Sequence, residues 1–70
     1  MKLKSRTIGE RLRKRRESAS VSVREFSRAI GITPFMCEAY ERGDIIPRDE
    51  VRRRVADYYD TTVAALFFAP

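Results

Sequence analysis

The chain has 70 residues, 15 Lys or Arg against 10 Asp or Glu for a net charge of +5, no histidine and one cysteine. That length supports one core, the single cysteine excludes an internal disulfide, and without histidine the usual zinc sites lack ligands. Such a small domain buries only roughly 60% of its unfolded surface, so the composition favours support from a second chain, with monomeric folding the alternative.

Residues 1–16 hold Lys2, Lys4, Arg6, Arg11, Arg13, Lys14, Arg15 and Arg16 against Glu10 alone, a local charge of +7. The remainder, with seven basic and nine acidic side chains, is −2. This asymmetry suggests a polyanion-binding arm or first helix, or else a solvated face. Residues 1–7 read as a basic arm and 8–70 as the domain. No apolar run here resembles a signal peptide or a membrane span. Together with the lone Cys37, that predicts a cytoplasmic protein with no membrane partner.

Ile8 and Leu12 at i, i+4, behind Thr7 as N-cap, predict a first helix over 8–17. "SASVS" breaks it. Ser22 to Glu25, "SVRE", fits a capping box that opens a second helix of about eight residues, with Phe26, Ala29 and Ile30 inward. Gly31 ends it in the left-handed conformation. Thr33-Pro34 then reads as N-cap plus first-turn proline, starting a third helix that runs to Arg42 and stops at Gly43. Pro47 precedes a fourth helix, about 48–59, with Asp49 and Glu50 suiting its positive end. Its Val51, Val55, and Tyr58 or Tyr59 recur at helical spacing. Thr61 or Thr62 opens a short fifth helix carrying Val63, Leu66 and Phe67. No segment alternates as a half-buried strand would, so the fold is all-α.

Two short helices joined through a glycine, the second opened by Thr-Pro, form a helix-turn-helix candidate. With Ile8, Leu12, Arg16, Val21-Ser22, Phe26, Gly31-Ile32-Thr33, "YERG" at 40–43, Pro47, Ala56 and "VAALF" at 63–67, the chain resembles the phage-repressor or Cro type of DNA-binding domain, the XRE family. The resemblance covers about residues 8–67. It implies a compact, lambda-repressor-like five-helix bundle, sequence-specific binding to double-stranded DNA, and a homodimer on a palindromic operator. It also suggests an ion pair between Arg16 and Glu41 that ties the first helix to the third. Four departures stand out: Val23 where Gln is common, Ser27 for a small Ala, Arg15 for a core Leu, and Asp44-Ile45-Ile46 in a loop that usually carries Lys, Arg or Asn. Arg15 must then snorkel, or the first helix must roll.

With Thr33 at zero and about 100° per residue, Cys37 falls near 40° and Tyr40 near 340°, facing one way. Phe35, Glu38, Ala39 and Arg42, between roughly 140° and 240°, face the other, with Pro34 and Met36 at the edges. Phe35, Met36 and Ala39 suit thymine methyl groups, Glu38 accepts from cytosine N4, and Arg42 forks onto guanine or grips phosphate. Ser22, at a helix N-terminus, with Arg24, Arg28 and Thr33 are the candidate phosphate contacts, and the basic residues of the arm and first helix are further candidates. Arg24 and Arg28 are equally readable as solvated charges, and Phe35 with Met36 as a protein-binding pair. Cys37 reads as a buried thiol rather than a redox sensor, and Arg52–Arg54 as a solvated surface. Tyr58, Tyr59, Leu66, Phe67 and Phe68 form a candidate twofold dimer patch that would set two third helices about 34 Å apart; the alternative is one Phe inside and a frayed tail.

The absence of histidine, of a cysteine pair, of a Gly-rich loop and of clustered carboxylates argues against an enzyme, a cofactor, a metal or a small-molecule ligand. The expected function is a transcriptional regulator, a repressor of phage or Cro type. The alternatives are a protein-interaction module on the same scaffold, antirepressor- or antitoxin-like, using Phe35/Met36 or Ile45/Ile46, or an accessory protein in recombination.

Overall fold

The computed structural model describes residues 5–70 and contains four α-helices closed by a single π-type turn. These are α1 (Ser5–Ser18), α2 (Val23–Ile30), α3 (Pro34–Arg42), α4 (Asp49–Tyr58) and α5 (Ala64–Phe68), with no strand among the described residues. The chain is all-α, in the order the sequence pattern predicts. The first helix starts earlier than expected, so Ser5–Thr7 belong to α1 rather than to an arm, and Thr7 lies inside the helix instead of capping it. Nothing in Ser-Arg-Thr opposes helix, and Arg6 pairs with Glu10 one turn on at 3.2 Å. The rest of the proposed arm, residues 1–4, lies outside the described residues.

The second and third helices are capped from their own sequence. Ser22 Oγ accepts from Glu25 N at 3.0 Å, and Thr33 Oγ1 accepts from Met36 N at 3.1 Å. Gly31 and Gly43 close the two helices at φ 77° and 82°, where a Cβ would be strained. In both, the amide two residues past the last helical residue donates five residues back: Ile32 N to Ser27 O at 2.9 Å, and Asp44 N to Ala39 O at 3.0 Å. The same reverse bonds close α1 and α4, but there Ser20 and Asp60 hold the left-handed position, at φ 57° and 54°. A side chain in that conformation costs about 1 kcal/mol or more relative to glycine.

The core consists of Ile8, Leu12, Phe26, Ile30, Cys37, Tyr40, Val55, Ala56, Leu66 and Phe67. Phe26 lies at its centre, stacked on Tyr59 at 5.9 Å and edge-on to Tyr58 at 5.5 Å. Burying one side chain of this size contributes about 1.5–3 kcal/mol. One inward assignment changes. Ala29 is exposed and Ser27 is buried, because α2 buries the arc shared by Phe26, Ile30 and Val23, and Ser27 falls on it while Ala29 does not. Arg15 neither enters the core nor rolls α1. It stays exposed with its guanidinium 5.3 Å over the Tyr59 ring.

Gly9 explains how close α1 and α3 come. It is buried, and a Cβ there would fall under 3.0 Å from the backbone carbonyl groups of Tyr40 and Glu41. Only glycine admits this crossing, which seats the third helix directly on the backbone of the first. Arg11 donates to Leu66 O at 3.4 Å and to Ala69 O, tying down the residues around α5. Arg52, expected in solvent, is largely buried and donates to Pro47 O at 2.7 Å, with Asp49 as its ion-pair partner. It thereby fixes the buried Pro47 at the entry to α4.

Candidate nucleic-acid interface

α3 is held from behind by a bidentate ion pair. Arg16 Nε meets Glu41 Oε2 at 2.7 Å and Arg16 Nη2 meets Glu41 Oε1 at 3.0 Å, with side-chain exposures of only 12% and 8%. The third guanidinium arm donates to Val21 O at 2.9 Å, so one side chain binds α1, the segment before α2, and α3 together. By accepting these hydrogen bonds the Glu41 carboxylate strengthens the guanidinium's hold on its proton, raising the Arg16 pKa. Cys37 is 1% exposed, and its Sγ lies 3.6 Å from Glu41 Oε2. Burial first, and the Glu41 charge second, push its pKa up to about 11, which leaves the thiol neutral and unreactive at physiological pH.

The opposite face of α3 is open. Phe35 is 71% exposed, a large solvent-facing aromatic, and Glu38 and Arg42 are exposed beside it. These three fall within an arc of about 60° on the helix. Met36 is half-buried at the edge and packs against the core. Ala39 does not belong to this face: it is 2% exposed. The turn after Gly43 brings the chain back to bond Ala39 O, and a single methyl does not project past that flank. Arg42 is engaged, its Nε 3.0 Å from Asp44 Oδ2, both side chains more than half exposed. Such a pair is worth about 0–1 kcal/mol, weak enough to exchange for another anion.

Around this face stand the remaining predicted contacts. Arg24 and Arg28 are exposed on α2 and make no side-chain hydrogen bond among the described residues. The Ser22 and Thr33 hydroxyl oxygens accept capping bonds, which leaves each hydroxyl proton and the free first-turn amides, those of Val23 and Arg24 in α2 and of Phe35 in α3, to donate outward. Glu25 does not return the reciprocal capping-box bond among the described residues, so its carboxylate also faces solvent. Of the first-helix cations, one joins the site. Arg13 of α1 lines a hollow of about 300 Å³ with Arg16, Val23, Glu38, Glu41 and Arg42. Its signal was geometric: it lies 40° from Gly9 and 60° from Arg16 around α1 at about 100° per residue, on the flank that faces α3.

The expected dimer patch is smaller than its sequence suggests. Leu66 and Phe67 are buried in the chain's own core, and Tyr59 is half-buried against Phe26. Burial raises the Tyr59 pKa to about 12. Consecutive residues of a helical turn point about 100° apart, so Phe67 goes in while Phe68 stays out. Only Tyr58 and Phe68 remain as exposed aromatic surface here. No helix among the described residues is long and apolar enough to cross a membrane.

Comparison with known proteins places this geometry. The helix-turn-helix domain family matches residues 7–66. The crystal structure of the clp gene regulator ClgR from Corynebacterium glutamicum resembles the chain with a TM-score of 0.85 at 26% identity, covering 93% of this chain and 69% of that one. No curated protein matches the sequence.

Proposed function

The chain belongs to the helix-turn-helix domain family, and from that premise we propose that it is a sequence-specific DNA-binding transcriptional regulator, a repressor in its simplest form. α3 enters the major groove with Phe35 and Met36 against thymine methyl groups, Glu38 on cytosine N4 and Arg42 on guanine or a flanking phosphate. Ser22, Thr33, Arg24, Arg28 and Arg13 hold the phosphates on either side. The observation that carries the reading is the two-sidedness of α3: Phe35 and Glu38 are free while Glu41 and Cys37 are fixed inside. Arg42 reaches DNA by leaving Asp44. That exchange lowers affinity for arbitrary sequence, because the cation already has an anion. Neutralising about five phosphates per subunit gives a slope of log K against log salt near −4.5.

A homodimer on a palindromic operator follows if Tyr58 and Phe68 meet across a twofold axis. Selection of bound fragments from a random duplex library tests specificity and symmetry together. An enriched inverted repeat supports both, an enriched single half-site leaves only the monomer, and no enrichment refutes sequence readout.

A second reading has one observation in its favour. Met36, Tyr40, Ile45, Ile46 and Val51 line a groove of about 350 Å³, and both isoleucines are 42% exposed. A protein-binding module would use that surface, and Ile45→Ser with Ile46→Ser would then abolish partner binding while DNA affinity stays unchanged.

A further inference from the structure

The cations of α1 divide between two flanks, and the division does not follow from their number. Arg6 pairs with Glu10, Arg13 with Glu17, and Arg16 with Glu41. Arg11, Lys14 and Arg15 have no carboxylate partner among the described residues, and all three lie on the flank that faces α5. With Ser18 they line a shallow, open depression floored by Ala65 and Leu66. Their spacing, i, i+3, i+4 and i+7, aligns them along about 10 Å of helix. Around α1, Lys14 stands about 140° from Gly9 and 160° from Arg16, the two residues that touch α3. A duplex held by α3 therefore does not reach them.

We infer that this flank is a second polyanion-binding surface, shaped for the phosphates of a second DNA duplex, so that one protein molecule bridges two duplexes. The inference rests on the proposed function for the first duplex only. Three uncompensated cations in a row suit a repeating array of phosphates. Arg11 is already oriented by the carbonyls of Leu66 and Ala69 and Arg15 by the Tyr59 ring, so two of the three lose little freedom on binding. Lys14 makes no hydrogen bond among the described residues and is the most readily altered.

The test is capture of a labelled duplex by full-chain protein bound to an immobilised duplex, at low salt. Lys14→Glu is expected to lower capture about tenfold while single-duplex affinity stays within about twofold, since one phosphate contact is lost and one repulsion added on this flank alone. Lys14→Gln with Arg15→Gln, checked for an unchanged melting temperature, should make the salt dependence of capture shallower by about 1.8 in slope. Normal capture by Lys14→Glu, or no capture by the wild type, overturns the inference. So does competition by polyglutamate as strong as that by a second duplex, which would identify an acidic protein as the occupant. Phe35→Ala separates the two proposals: unchanged single-duplex affinity in that variant refutes base readout by α3 whatever the flank does.

Discussion

The two faces of α3 are built from residues that alternate in sequence and differ in almost every physical respect. The inner face has Cys37 and Tyr40 in the core, Glu41 in a buried bidentate pair, and the α1 backbone at van der Waals distance through Gly9. The outer face has Phe35, Glu38 and Arg42, held by one exposed ion pair. Stability resides on one side and chemistry on the other. A nine-residue helix with a leading proline is too short to persist alone in water, so the inner face must supply the rigidity that the outer one uses. The contrast also explains a Phe left in solvent: burying it would stabilise the fold and remove the reading surface.

Breaking the inner face should give the largest effects. Glu41→Ala strands the Arg16 charge in a nearly closed site and is expected to cost about 3–5 kcal/mol, measured by urea denaturation. Replacing both partners with apolar residues, Arg16→Met with Glu41→Leu, should recover most of that loss, which would show that the pair orients α3 more than it stabilises the domain. Gly9→Ala comes next: α1 must lift from α3, at about 1–3 kcal/mol, or a fall of very roughly 5–20 °C in melting temperature. If Gly9→Ala melts like the wild type, the close crossing is absent.

Alkaline pH probes the same face more gently. The Cys37 thiol has its pKa raised by burial, from 9.0 to about 11. Its stabilising contribution is therefore complete below pH 9 and is lost as pH rises through about 11, because the unfolded chain gives up the proton first. Cys37→Ala should flatten part of that decline in a pH series of melting curves, the rest belonging to Tyr59. The smallest expected effect lies away from α3. Ser20→Gly relieves a left-handed side chain and should raise stability by about 1 kcal/mol, whereas Gly31→Ala should lower it by a similar amount, through strain alone since the added Cβ has room.

What could be read from the sequence is what local chemistry determines. Ser22, Thr33-Pro34, Gly31 and Gly43 announce the helix-turn-helix boundaries because capping depends on residues within one turn. Ser20 and Asp60 do the same work almost unannounced, since Ser gives no signal of a left-handed backbone and Asp only a weak one. Gly9 looks like a helix weakness until another helix is laid across it, and Arg11 and Arg52 look like surface charge until the carbonyls they bond are in place. Ala39 faces outward in an angular projection of α3 but is buried in the fold, because the projection contains no information about the turn that follows Gly43. The dimer patch shrinks for a related reason: Phe67 and Phe68 do not both fit a small core, and Phe67 enters it with Leu66 while Phe68 stays out.

The most direct measurement compares operator affinity in Phe35→Ala and wild type, after selecting the operator, with melting temperature recorded for both. Because Phe35 is 71% exposed and touches nothing the fold needs, the melting temperature should stay within about 2 °C while affinity falls at least tenfold, with discrimination lost at a thymine position. Equal affinity on the selected operator, or a collapse in stability alongside the loss of binding, would contradict the separation of the two faces.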